Sequence, residues 1–137
     1  MTTPTYIYKI VHSSAGPPPD PLPDRLPVSE LDQKDGFIHL STAKQVEGTL
    51  NRYFSSEQTV YLLRLDYSSV KDLIKWEDRQ GAEGKPGDDW VFPHLYNGNQ
   101  LGKKEIESVK TSEKNQAADD KWEEALSSLV SDGWLVD

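Results

Sequence analysis

Apolar and polar positions change period several times along the chain, and each change marks an element. Tyr6-Ile7-Tyr8-Lys9-Ile10-Val11 is rich in aromatic and β-branched residues and predicts a first strand, with Tyr6, Tyr8 and Ile10 on one face. Val46, Leu50, Tyr53 and Phe54 recur at i, i+4, i+7 and i+8, which predicts a helix with one buried stripe. Thr42-Ala43-Lys44-Gln45 just ahead of it has the form of a capping box, so Gln45 is expected to act as a cap. Gly48 inside that helix costs about 1 kcal/mol relative to alanine and is expected to mark a close backbone approach. Residues 59–65 are nearly all apolar, as in a strand covered on both faces. Ser68 or Ser69 is expected to cap a short helix through Val70, Leu73 and Ile74 that ends near Trp76 to Arg79. Residues 90–96 return to extended structure; Pro93 suggests an edge strand and Asn97-Gly98 a turn. Residues 104–109 read as a last strand and residues 111–118 as a linker. Asp119 or Asp120 then caps a tail helix whose stripe is Trp122, Ala125, Leu126, Leu129 and Val130, stopped by Gly133. Trp134, Leu135 and Val136 are costly to leave in water, so the tail is expected to dock on the domain or on a protein partner.

The chemistry concentrates in Asp35-Gly36-Phe37-Ile38-His39-Leu40-Ser41-Thr42. Asp-Gly favours a turn, and strand alternation after it sends Ile38 and Leu40 to the core and Phe37, His39 and Ser41 to the other face. Imidazole and hydroxyl then stand about 7 Å apart. Phe92, His94 and Tyr96 repeat the order of aromatic, imidazole and hydroxyl, so the two strands are expected to converge on one cleft. Ser41, followed by the first free amides of a helix, offers a place for an anion beside His39. In a plainer reading His39 is an ordinary polar-face residue and Ser41 or Thr42 merely starts the helix; both stay open. Glu77 and Arg79 likewise read as a carboxylate base and an anion clamp, or as a surface ion pair worth at most about 1 kcal/mol.

Composition narrows the classes. A chain of 137 residues fits one domain, here residues 1–110, with a Pro-rich excursion at 15–27, a short helical turn at 26–33, and a linker and docking helix at 111–137. The net charge of −8 opposes non-specific attraction to nucleic acid or an anionic membrane. There is no cysteine, no charged-then-apolar leader pattern and no 18-residue apolar run, which together predict a soluble cytoplasmic protein. Three histidines and a glutamate on separate elements lack ligand spacing, so no metal is expected. The loop at 80–89 has neither GxGxxG nor GxxxxGK[ST].

These blocks, with Ile7-Tyr8-Lys9-Ile10, Gln45, Trp76-Glu77, Arg79 and Phe92-Pro93-His94-Leu95-Tyr96, resemble the signature of the family called domain of unknown function 952, over residues 5–109. The Pro-rich insertion, the loop before Trp90 and the helical tail depart from its compact form. The resemblance implies an α+β, ADP-ribosyltransferase-like split β-sandwich of mainly antiparallel strands with a few helices, plus the C-terminal helix. It also implies a cleft for NAD or a related nucleotide, with His39 as the ring nearest the place of the nicotinamide-facing tyrosine in the enzymes of that fold. Their catalytic glutamate falls near His94-Leu95-Tyr96, just after Glu77, and their first-strand histidine falls at Tyr8-Lys9, where this chain has none.

Three functions are open. One is a small-molecule cleft for a nucleotide or a phosphorylated or ribosylated ligand, with His39, His94 and Glu77 as catalytic groups and Tyr8, Ser41, Thr42, Arg79 and Tyr96 as ligand contacts. The second is a two-histidine phosphoester hydrolase or transferase, in which one imidazole removes a proton and the other supplies one. The third is a non-catalytic protein-interaction module.

Overall fold

The computed structural model of the chain describes residues 3–115 and 121–137. Among them, six strands form two antiparallel three-stranded sheets, and four α-helices accompany them, so the fold is α+β. The first sheet has the order β1 (Tyr6–His12), β3 (Thr59–Asp66), β6 (Ile106–Glu113). The second has the order β2 (Ile38–His39), β5 (Phe92–Leu95), β4 (Ile74–Glu77).

Alternation along β3 explains the layering. Leu63 and Leu65 join Ile7 of β1 in a core shared with Ile38, Trp76 and Leu95 of the second sheet. Val60 and Leu62 face the other way and join Tyr8 in a second core with Val46 and Leu50 of α2 (Ala43–Tyr53). That core also takes Trp122, Trp134, Leu135 and, from α4 (Glu123–Ser131), Leu126 and Leu129. The central strand is therefore covered on both faces, and Trp122, Leu126, Leu129, Trp134 and Leu135 of the tail are buried against the chain itself, whereas Val136, expected to dock with them, stays exposed. The Pro-rich segment contributes Leu22 and Leu26 to the edge of the first core.

Several expectations need correction. The stretch after Gly36 is not one long strand: Ile38 and His39 pair with Leu95 and His94, and Ser41 then pairs with Tyr8 of β1. The chain changes sheets at Leu40, which ends the simple alternation expected of Phe37, His39 and Ser41. Between β3 and β4 only α3 (Tyr67–Val70) and a 3₁₀ turn to Leu73 are helical; residues 74–77 are strand, and Asp66, not Ser68 or Ser69, caps the helix. β5 is a central strand despite Pro93, whose carbonyl accepts from the Leu40 N–H where the two-residue β2 has already ended. Tyr53 and Val130 are exposed, and nothing lies within 4 Å of a Cβ placed at Gly48, so no close approach explains that glycine. β6 runs on through Glu113, beyond the expected last strand, and the caps assigned to Asp119 or Asp120 lie outside the described residues. Thr42 and Gln45 do form the capping box. No helix among the described residues is long and apolar enough to cross a membrane.

Candidate functional site

His39 and His94 are direct cross-strand partners, on the face of the second sheet opposite the core-facing Ile38 and Leu95. Their ring centroids are 5.3 Å apart, edge to face. Phe37 stacks on His94 at 4.3 Å and contacts His39 at 4.5 Å and Tyr96 at 5.0 Å.

Each imidazole is backed by a carboxylate. His94 Nδ1 donates to Glu77 Oε1 at 3.0 Å, and the Tyr96 hydroxyl donates to the same oxygen at 2.7 Å. Burial lowers the His94 pKa, against the opposing pull of Glu77, so the ring is neutral at pH 7 with its proton on Nδ1. Its Nε2 lone pair then has no hydrogen-bond partner among the described residues. Burial works to raise the Glu77 carboxyl, but the hydrogen bonds from Tyr96 and His94 outweigh it and hold it below its ordinary value. Burial, together with Glu77, pushes the Tyr96 phenol up to about 12, which keeps it a donor.

His39 Nδ1 donates to Asp32 Oδ1 at 2.7 Å, and the His39 backbone N–H donates to that oxygen at 3.1 Å. Asp32 comes from α1 (Glu30–Asp35), where Ser29 caps the helix by accepting the Asp32 N–H. Its other oxygen accepts from Lys9 Nζ at 2.7 Å, and Lys9 also reaches the His39 carbonyl at 3.3 Å. Asp32 is 2% exposed; burial alone would raise its pKa, yet His39 and Lys9 hold it below the ordinary value. On the outer side, His39 Nε2 lies 3.0 Å from Asp35 Oδ2, at the last helical position before Gly36 turns the chain with φ of 80°.

Of the residues expected to be catalytic or to contact a ligand, the structure brings together His39, His94, Glu77 and Tyr96, with Phe37 packed against three of them. It does not bring the rest to them. Tyr8 faces the second core, where its hydroxyl donates to the Trp134 carbonyl and accepts the Val136 N–H. Ser41 and Thr42 are buried at the crossing between sheets and at the start of α2. The amides expected to receive an anion there are taken: Ala43 N–H donates to Asp137 Oδ1 and Thr42 N–H to Gln45 Oε1. Arg79 is exposed and donates to the Tyr53 hydroxyl. The third histidine, His12, pairs with Glu57 and stacks on Phe54.

Sequence reasoning missed Asp32 and Lys9 and read Asp35 only as a turn residue. Lys9 carried a signal, because it alternates with Ile7 on the core side of β1 and a cation there requires a buried anion. Asp32 carried little, since an acid near a helix start normally reads as dipole complement.

A family model described as "Protein of unknown function (DUF952)" matches residues 23–109, more than half of the chain. The crystal structure of protein CC0527 from Caulobacter crescentus is similar, with 28% identity and a TM-score of 0.60 over 84% of this chain and 92% of that one. The solution NMR structure of the same protein gives 27%, 0.62, 88% and 95%. No curated protein matches.

Proposed function

We propose that this chain, which belongs to the DUF952 family, is a small-molecule enzyme whose two histidine–carboxylate pairs act as general base and general acid on a phosphorylated or ribosylated substrate. The observation that carries this reading is the cross-strand opposition of His39 and His94, each with a buried carboxylate on Nδ1. A carboxylate there fixes the tautomer and aims Nε2 outward, the arrangement a proton-transferring imidazole needs.

The roles follow from the asymmetry of the pairs. His94, neutral with a free Nε2 lone pair, is the base that takes the proton of an attacking hydroxyl or water. His39, whose Nε2 lies 3.0 Å from the Asp35 carboxylate, is the acid. In a phosphoester transfer the attacking oxygen bonds phosphorus as its proton passes to His94 Nε2. The bond to the leaving oxygen breaks as His39 Nε2 protonates it. Glu77 and Asp32 are positioning residues, and Tyr96 holds Glu77 from the other side.

The ADP-ribosyltransferase-like likeness and a nucleotide ligand belong to the same proposal. Two antiparallel sheets joined through a shared core support the first, and the aromatic wall of Phe37 and Tyr96 beside the imidazoles offers a flat surface to a base or nicotinamide.

The test is turnover against a panel of phosphomonoesters, cyclic phosphodiesters, ADP-ribose and NAD, with the parent, His39→Ala and His94→Ala. Loss of about 10²-fold or more in kcat for each variant on one substrate supports the pair. Turnover that survives both substitutions overturns it.

A further inference from the structure

Resting on the two-histidine reading, we infer that the place now held by the Asp35 carboxylate, at His39 Nε2, is the subsite for an oxyanionic group of the substrate, a phosphoryl or a carboxylate. Asp35 Oδ2 sits 3.0 Å from that nitrogen, so the edge of the ring already holds one carboxylate oxygen at contact distance, and an oxyanion of the substrate would take the same place.

Asp35 gains little there as a structural residue. It ends a six-residue helix, where the carbonyl ends of the backbone disfavour a negative side chain, and its side chain is 35% exposed. Asp32, by contrast, is buried, and its oxygens accept three hydrogen bonds, from His39 Nδ1, the His39 N–H and Lys9. The inner carboxylate is fixed and the outer one is displaceable.

The segment carrying Asp35 also covers the second imidazole. Across Gly36, which has φ of 80° and nothing within 4 Å of a Cβ built on it, Phe37 stacks on His94. One short segment therefore lies over both rings, and a substrate that displaces Asp35 and Phe37 gains His39 Nε2 and His94 Nε2 together. Lys75, with Nζ 4.7 Å from the centre of the Tyr96 ring, supplies a cation on the same strand face.

The experiment titrates inorganic phosphate, and acetate in parallel, into the full chain while the imidazole nitrogens are followed by NMR. It compares the parent, Asp35→Ala and the double variant Asp35→Ala/His39→Ala. Removing a like charge at this distance and vacating the place beside the ring should tighten phosphate binding about tenfold or more in Asp35→Ala, with the shift centred on His39 Nε2. The gain should vanish in the double variant. The preferred anion identifies the group as phosphoryl or carboxylate. Unchanged affinity for both anions in Asp35→Ala, or a gain that persists without His39, overturns the subsite. Histidine-dependent turnover alongside such a result leaves the acid–base pair standing; the gain without any turnover keeps the subsite and removes the pair.

Discussion

Asp32 gathers Lys9 and His39 onto one buried carboxylate, so its removal takes from a buried cation the charge that compensates it. Asp32→Ala should cost about 3–5 kcal/mol, measured by urea unfolding at pH 7. The pH dependence of the parent follows from the same groups. His94 has a folded pKa below its unfolded 6.5, so the unfolded chain binds more protons and stability falls as pH drops from about 6.5 toward the lowered value. Asp32 and Glu77 are also depressed, so their contribution is present above about pH 4 and is lost as pH falls through their folded values. Urea midpoints between pH 8 and 3 should therefore fall in two stages, and His94→Gln should abolish the first; a single acid transition unchanged by that substitution would count against a buried neutral His94. At this scale the imidazoles and Tyr96 were legible because strand alternation places them, whereas Glu77 was singled out only as a carboxylate near Arg79, at the end of an expected helix where the structure has β4. Asp32 was not, because its meaning depends on how α1 folds back over β2.

Elements were legible where their period was long and illegible where the chain bends. The α2 stripe and capping box showed in the sequence, and Gln45 does double duty by donating to the Val91 carbonyl at 2.7 Å. β2 was overextended because a two-residue strand that changes sheets leaves no mark in a pattern of alternating side chains. β4 was read as helix because a short apolar run suits either state. The two glycines that matter most differ in consequence. Gly48, in the middle of α2 with open space around it, needs no glycine, so Gly48→Ala should raise stability by about 1 kcal/mol in thermal or urea unfolding. At Gly102 an added Cβ would fall 2.0 Å from the Asp24 carbonyl oxygen, with the Pro23 carbonyl oxygen at 2.7 Å. Backbone cannot swing aside as a side chain does, so Gly102→Ala should cost at least about 1–3 kcal/mol and loosen the Pro-rich segment from residues 101–103. Amide exchange at Leu26 and Lys103, which bond across that junction, reports it.

The whole molecule is three layers, with helices α2 and α4 on one face of the β1-β3-β6 sheet and the histidine-bearing sheet on the other. The tail closes the helical side. Trp122 is wholly buried and donates to the Phe54 carbonyl, Trp134 donates to Ser108, and the Tyr8 hydroxyl holds the backbone at Val136. Burial of a large side chain contributes about 1.5–3 kcal/mol, so the five large apolar residues supplied by the tail together rival the whole stability of a domain. Deleting the tail should therefore abolish the fold. Trp122→Ala is the milder test: a cavity plus a lost hydrogen bond should cost about 3–5 kcal/mol and lower Tm by on the order of 10 °C. The imidazoles sit on the far side of the first core, outside the layer this change disturbs. Below its lowered Tm, Trp122→Ala should thus keep the His39 and His94 ring resonances of the parent. Displaced imidazole signals in a folded Trp122→Ala chain would mean that the two cores are coupled through β1 and β3, and that the tail sets the geometry of the site as well as its stability.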